Sequence, residues 1–284
     1  MAKQVKLVAS YWTLAGGASP HTAHEYSVFS FNERVAAAAR AGFSGFGIWH
    51  ADLEHTLKTS TLTEMKRILD DHGMVHIELE FLTDWWIAEG ERKVACDARK
   101  RMLLEAAAAL RAHHIKVGDF FDSPCPMPRL ISSFAALCAE AANYGTDVLF
   151  ELMPFANIKT LPGAVELVEG AGAKNGGIII DLWHVVKLGI AYADVARIPS
   201  RYLGGIEIND GTFTAPWDLV EDTTNHRRLC GEGEFDVRGF VTTMLAAGYT
   251  GPWGIEVLNK EMRQWPLEQM AQRAAATTRA QFPG

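Results

Sequence analysis

Eight short apolar runs alternate with amphipathic stretches along this chain, and this alternation limits the fold more than any other feature. The runs predicted as strands are Val5–Ser10, Phe43–Trp49, Val75–Leu82, Ile115–Phe121, Asp147–Met153, Gly177–Trp183, Leu203–Asn209 and Trp253–Leu258. The predicted helices are Phe31–Ala41, Leu62–Asp71, Glu91–Ala112, Arg129–Tyr144, Pro162–Glu169, Asp236–Ala247 and Pro266–Gln281, with a weaker one at Ile190–Ile198. Most of the helices end at or next to a glycine, the usual helix stop.

Strict strand–helix alternation implies a parallel sheet with crossover helices, and eight repeats imply an α/β fold of the (β/α)8 TIM-barrel type. A chain of 284 residues fits one such barrel, so we expect a single domain over residues 1–284. The main alternative is an open doubly wound sheet. Its phosphate-binding signature GxGxxG is not matched by the glycine-rich segment Gly42–Gly47, which is typical of a helix stop followed by a strand.

Four acidic residues interrupt four successive apolar runs in the second half of the chain. Glu151, Asp181, Glu207 and Glu256 lie at or near the carboxyl ends of predicted strands five to eight. Side chains alternate along a strand, so if the flanking apolar residues face the helices, the acids face the barrel interior. Active sites of such barrels form at this end, so we expect the four carboxylates to converge.

Converging buried carboxylates need positive charge. An unpaired buried charge costs several kcal/mol or is lost by a pKa shift. A divalent cation is the simplest counter-charge, and oxygen ligands favour Mg²⁺, Mn²⁺ or Ca²⁺. The alternative is that the four acids form separate salt bridges at strand ends.

Around these acids the chain resembles the sugar phosphate isomerase/epimerase superfamily, the xylose isomerase-like TIM barrels. Phe150–Pro154 is similar to that superfamily's "E-x-x-P" segment, and Asp181–His184 to its "D-x-x-H" segment. Gly231–Asp236 resembles the "G-E-G-x-x-D" loop, and Gly254–Val257 the final "G-x-E" strand. The resemblance covers nearly the whole chain and implies a barrel enzyme that acts on small polyhydroxylated carbonyl compounds.

The resemblance implies one divalent metal bound by Glu, Asp, His and Glu. Glu151, Asp181 and Glu256 match three of these ligands, whereas Glu207 occupies the position of the histidine. An all-oxygen set shifts the preference from zinc toward Mn²⁺ or Mg²⁺. His226 is an alternative nitrogen ligand if its loop folds inward.

The resemblance also implies the chemistry. Glu151 and Glu256 are the candidate acid and base that remove and return a proton beside a carbonyl group, and His184 is a candidate contact to substrate. The leading reaction is isomerisation or epimerisation through an enediolate. The alternative is a lyase, in which the same first step is followed by loss of water or an aglycone.

Further residues near the strand ends are candidates for binding a sugar, cyclitol or related keto substrate. Aromatic side chains suit the apolar faces of a ring, and charged ones suit its oxygens. The candidates are Trp12, Trp49, His50, Glu80, Lys260 and the pair Arg227 and Arg228, of which Arg228 is taken as the binding residue.

Charge and composition exclude several classes of protein. The net charge of -7 argues against nucleic acid and anionic membrane surfaces as partners, and thus against the endonucleases that share the superfamily fold. The four cysteines show no zinc-ligand or CxxC spacing, so we expect a reduced, cytoplasmic protein. A non-catalytic sugar-binding relative and self-association into a homo-oligomer remain open from the sequence.

Overall fold

A computed structural model describes residues 5–283 as a closed barrel of eight parallel strands in the order β1 to β8. The strands are β1 Leu7–Ala9, β2 Gly45–Trp49, β3 His76–Leu82, β4 His114–Val117, β5 Asp147–Glu151, β6 Gly176–Asp181, β7 Leu203–Ile208 and β8 Trp253–Ile255. The helices are α1 Phe31–Arg40, α2 His50–Thr56, α3 Leu62–Asp71, α4 Glu91–Leu110, α5 Met127–Ala142, α6 Leu161–Ala171, α7 Leu182–Lys187, α8 Tyr192–Val195, α9 Leu219–Asn225, α10 Val237–Ala246 and α11 Leu267–Arg279. The predicted barrel is confirmed.

The barrel closes through parallel pairing of β1 with β8, where Leu7 lies opposite Trp253. The helix starts follow ordinary capping rules. At α1 the Ser30 hydroxyl accepts a hydrogen bond from the backbone of Glu33, and the Glu33 carboxylate accepts one from the backbone of Ser30. Within residues 5–283, no helix combines the length and the apolar character that crossing a bilayer requires.

The inside of the barrel is unusually polar on the side of β3 and β4. Aliphatic side chains usually fill such an interior. Here β3 contributes His76, Glu78 and Glu80, and β4 contributes His114 and Lys116, and all five are buried. Because buried polar groups are costly unless they are paired, this choice of residues points to function rather than to packing.

Six of the predicted strands end earlier than expected, and after two of them, β4 and β6, an aspartate caps the turn that follows. β4 stops at Val117, and Asp119 then accepts hydrogen bonds from the backbone of Phe121 and Ser123. β6 stops at Asp181, whose side chain accepts a hydrogen bond from the backbone N–H of His184 and caps α7. The earlier strand ends do not change which side of each strand the acidic residues occupy, so these residues still face the barrel interior as predicted.

Candidate active site at the carboxyl end of the barrel

The four acidic residues singled out in the sequence meet at the carboxyl end of the barrel. Glu151 and Asp181 are the last residues of β5 and β6, Glu207 lies near the end of β7, and Glu256 directly follows β8. Each contributes a carboxylate oxygen, and these oxygens lie within 4.8 Å of one another. All four side chains are buried. Such close packing of like charges requires compensation by cations.

Lys116 supplies one of these cations from below the cluster. Its ammonium donates hydrogen bonds to both oxygens of Glu207, at 2.9 and 3.0 Å, and to Glu256 at 3.3 Å. It also lies 3.1 Å from Glu80. Burial alone would lower the pKa of Lys116, but Glu207, Glu80 and Glu256 raise it well above its ordinary value. These carboxylates therefore favour the protonated, positively charged form of the lysine.

Arg227 supplies the second cation from the loop after α9. One guanidinium nitrogen, Nη1, donates to Asp181 at 2.8 Å and to Glu256 at 3.0 Å. The other nitrogens donate to the hydroxyl of Thr223, and the side chain is buried. Burial alone would raise the pKa of Asp181, but Arg227 and His184 keep this pKa below its ordinary value. Arg227 thus bridges two of the four cluster carboxylates.

Negative charge still exceeds positive charge at this end of the barrel. Glu80 and the four cluster carboxylates face two cations. Burial and repulsion from Glu256 raise the pKa of Glu207 well above its ordinary value despite Lys116. Burial and Glu256 likewise raise the pKa of Glu80 to about 7. Carboxyl groups thus outnumber cationic side chains, and an all-oxygen cluster of this kind fits a hard divalent cation, which would replace protons as the counter-charge.

His184 completes the polar floor of the cleft. Its Nε2 lies 3.3 Å from an oxygen of Glu151 and 3.5 Å from Nη2 of Arg227. Its Nδ1 is buried and forms no hydrogen bond to any part of the chain that the structure describes. Asn209 adds a further restraint, because its amide donates to Asp181 at 2.8 Å.

The cleft above the carboxylates has apolar and aromatic walls. The rings of Trp12 and Trp49 lie 4.9 Å apart at one side, and the indole N–H of Trp49 donates to Glu25 at 3.1 Å. The lining residues are Trp12, Pro20, His21, Glu25, Trp49, Glu80, Phe81, Phe120, Glu151, Met153, Phe155, His184, Val220, Thr223, Thr224, Arg227, Glu256 and Leu258. A ring-bearing or polyhydroxylated small molecule can thus pack its apolar face on the walls while its oxygens reach the floor.

Comparison with known proteins identifies this architecture. The family model described as "Xylose isomerase-like TIM barrel" matches residues 35–281. The chain belongs to this family. The resemblance seen in the sequence motifs is confirmed.

Individual relatives of this xylose isomerase-like barrel differ in activity. A 3-dehydroshikimate dehydratase of Pseudomonas aeruginosa is 26% identical over 245 residues, which cover 84% of this chain. The chain spans only 38% of the length of that relative. An inosose isomerase of Halalkalibacterium halodurans is 25% identical over 140 residues, 49% of either chain. A solved structure titled IOLI protein with a binding zinc atom covers 97% of both chains with a TM-score of 0.78 and 16% identity.

The xylose isomerase-like barrel brings most of the predicted site residues to one cleft. Trp12, Trp49, Glu80 and His184 line it together with two of the cluster carboxylates. His50 lies behind this wall, where its Nδ1 accepts a hydrogen bond from the backbone of Phe81, and burial lowers its pKa to about 3.

Three basic residues lie outside the cleft. Arg228 and Lys260 are exposed in a neighbouring groove, and Arg228 donates to the backbone oxygen of Glu232. His226 stacks on Trp217 and faces Glu221 at 3.1 Å, so it is not part of the carboxylate cluster. Arg227, rather than its neighbour Arg228, enters the site. Sequence reasoning had no signal to separate two adjacent arginines in a loop.

Asp210 holds the Gly231–Asp236 loop against the end of β7. Its buried carboxylate accepts backbone hydrogen bonds from Gly211 at 2.8 Å, Gly231 at 2.9 Å and Phe235 at 3.0 Å. Its own backbone pairs with that of Arg228 in both directions. The aspartate therefore fixes the backbone next to Arg227.

Replacing Asp210 by asparagine is expected to destabilise the protein by about 2–3 kcal/mol. The amide NH₂ cannot accept a hydrogen bond, so at least one charge-assisted bond is lost and one buried N–H is left unpaired. Chemical denaturation measures the change. Asp70→Asn, an exposed residue paired with Lys66, is the matched control and should cost under about 1 kcal/mol. Equal effects in the two variants would contradict the role of Asp210.

Proposed function

We propose that this protein removes a proton from a carbon next to a carbonyl group in a small polyhydroxylated substrate, and that it is an isomerase or epimerase. The observation that carries the proposal is the pair of carboxylates Glu151 and Glu256. Both face the same aromatic-walled cleft and belong to one cluster. A proton acid and a proton base within reach of one substrate are what such chemistry requires.

The chain's own residues would divide the work. Glu151 and Glu256 take and return the proton on the two sides of the substrate. His184, which lines the cleft and whose Nε2 lies 3.3 Å from Glu151, binds a substrate hydroxyl or carbonyl oxygen. Arg227 holds Glu256 in place through Nη1. The tryptophan wall excludes water from the reacting carbon.

A divalent ion, Mn²⁺ or Mg²⁺, would be held by Glu151, Asp181, Glu207 and Glu256. When bound, it supplies Lewis-acid stabilisation of negative charge on the substrate oxygen. The support comes from the all-oxygen donor set and from its excess of negative charge. Lys116 and Arg227 compensate part of that charge, so the cluster can remain assembled before the ion binds.

A lyase reaction is the second candidate. It starts with the same proton removal, after which a β-substituent leaves. The observation that favours it is the Pseudomonas dehydratase, which matches 84% of this chain. An inosose or a dehydroshikimate-like ring would then be the substrate class.

The experiment is a panel of ketoses, inososes, 3-dehydroshikimate and oxidised glycosides incubated with the Mn²⁺-loaded protein and followed by NMR. An isomerase or epimerase converts a substrate without loss of mass. A lyase releases water or an aglycone. Binding without turnover across the panel, detected by chemical-shift changes alone, would identify a non-catalytic sugar-binding protein and contradict the proposal.

Glu207→Gln is expected to reduce the stabilisation that Mn²⁺ gives the protein. The amide keeps one neutral ligand oxygen but removes a negative charge, and a tenfold weaker affinity lowers the gain at saturating ion by about 1.4 kcal/mol. Thermal melts with and without Mn²⁺ measure the gain. Glu80→Gln removes a buried carboxylate of the same region outside the proposed ligand set and serves as the control. A gain in Glu207→Gln as large as in wild type would show that Glu207 is not a ligand.

A further inference from the structure

Three histidines meet at the opposite, amino-terminal end of the barrel. His76 begins β3, His114 begins β4, and His113 precedes it. One ring nitrogen from each lies within 4.8 Å of the others. We propose that these histidines form a second metal site, specific for a divalent transition metal such as Zn²⁺. It is separate from the carboxylate cleft and does not depend on the function proposed for that cleft.

His114 carries the strongest evidence for a missing partner. Its ring is fully buried, and neither nitrogen has a hydrogen-bond partner within residues 5–283. A buried ring N–H and an unused lone pair are both costly, and binding of an ion is one recognised explanation for such groups. The lone pair of a neutral imidazole is the donor that a metal needs.

Burial acts against a positive charge on two of the three rings, His114 and His113. Burial lowers the pKa of His114 to about 3, even though Glu78 acts in the opposite direction. Burial also lowers the pKa of His113.

Glu78 supports the group as a carboxylate commonly supports metal-bound histidine. Its Oε1 lies 3.1 Å from Nε2 of His76 and 3.8 Å from Nε2 of His114. If His76 donates its Nε2 proton to Glu78, its Nδ1 carries the free lone pair. Hydrogen bonds of this kind orient the ring and strengthen it as a ligand.

Solvent can reach the site. His113 is exposed, and a cavity at this end of the barrel is lined by His76 and His113 together with Leu203, Gly204 and Tyr249. An ion can therefore enter without opening the barrel. Imidazole nitrogens select Zn²⁺, Ni²⁺ or Cu²⁺ over Mg²⁺ or Ca²⁺, which is the reverse of the preference of the carboxylate cluster.

The test counts Zn²⁺ ions by native mass spectrometry and calorimetric titration in four proteins. These are wild type, His113→Gln, His76→Gln and the control His24→Gln, which changes an exposed histidine outside the proposed site. Any ion in the carboxylate cleft is common to all four. Wild type and the control are expected to bind one more Zn²⁺ than the other two variants, or to bind it at least about tenfold more tightly.

Crystals grown with Zn²⁺ would show the position of the bound ion directly. We expect an anomalous peak roughly 2.0–2.1 Å from the histidine nitrogens. Circular dichroism confirms that each variant is folded, and His113→Gln changes an exposed side chain, so at least one informative variant is available. Equal Zn²⁺ number and affinity in all four proteins, or an anomalous peak only at the carboxylates, would overturn the proposal.

Discussion

Glu256→Gln and Glu151→Gln are each expected to lower turnover about 10²-fold or more without loss of metal binding at the proposed site. Glutamine retains a ligand oxygen but cannot accept a proton, and positioned acid–base groups contribute on this scale. Steady-state kinetics measure the loss, and elemental analysis measures the bound metal. The two variants should affect different steps, because in the proposed reaction the two carboxylates act on different sides of the substrate.

The difference between the two variants separates the candidate reactions. In an epimerase, one variant should still exchange solvent deuterium into one substrate epimer but not into the other. In a lyase, one variant should no longer remove the proton, whereas the other should still remove it but fail to expel the leaving group. Glu54→Gln, an exposed glutamate, is the control and should be unchanged. Full turnover in metal-loaded Glu151→Gln and Glu256→Gln would restrict both residues to a ligand role.

Lys116→Met is expected to destabilise the metal-free protein by about 3–5 kcal/mol, the cost of removing one partner from a buried ion pair. Lys116 is the cation shared by Glu80, Glu207 and Glu256, and its side chain is fully buried. Methionine fills a similar volume, so the loss is electrostatic rather than a cavity effect. Denaturant unfolding measures the change. Lys66→Met removes a partly exposed lysine paired with Asp70 and should cost under about 1 kcal/mol.

The destabilisation by Lys116→Met should depend on pH. Burial and Glu256 raise the pKa of Glu80 to about 7, and Lys116 opposes that rise. A carboxyl group whose pKa is higher in the folded state stabilises the protein below its unfolded pKa, and this stability is lost as pH rises through the folded pKa. Without Lys116 the folded pKa is higher still, so the gap between variant and wild type should be nearly constant from about pH 5 to 6 and should widen as pH rises past about 7, where Glu80 ionises in wild type but stays protonated in the variant. A constant gap would show that Lys116 is not paired with titrating carboxylates.

Addition of Mn²⁺ tests whether the carboxylates that Lys116 stabilises also bind the metal ion. If the ion binds the four carboxylates, it should restore part of the stability lost in Lys116→Met, because it supplies positive charge to the same cluster. It should restore little in Asp210→Asn, whose defect lies in the Gly231–Asp236 loop.

The barrel and the convergence of the four acids could be predicted from the sequence because both depend on local periodicity. Apolar runs with an acid in the inward phase determine which side chains share the interior, and the order of the strands determines that β5 to β8 are neighbours. Lys116 is an unusual residue for the interior of a strand, but nothing local in the sequence identifies its partners. They lie on β3, β7 and β8, and only closure of the barrel brings them to it.

Other features of the structure could not be predicted because they have no repeating pattern in the sequence. Helices α2, α7 and α9 contain seven residues or fewer, too few for a repeating apolar face to be recognised. The choice between Arg227 and Arg228 depends on the backbone pairing of Asp210 with Arg228, which turns one side chain inward and leaves its neighbour exposed. The histidine group at the other end of the barrel arises because β3 and β4 begin side by side.

In the proposed reaction, Glu151 and Glu256 break a carbon–hydrogen bond next to a carbonyl group. The most direct measurement uses the substrate found in the NMR panel, deuterated at that carbon, and follows the label by mass spectrometry as product forms. The account predicts that wild type releases the label to water in step with turnover and that the Glu151→Gln/Glu256→Gln double variant releases none. Product that keeps its full label at a neighbouring carbon would indicate a hydride shift and would contradict the account.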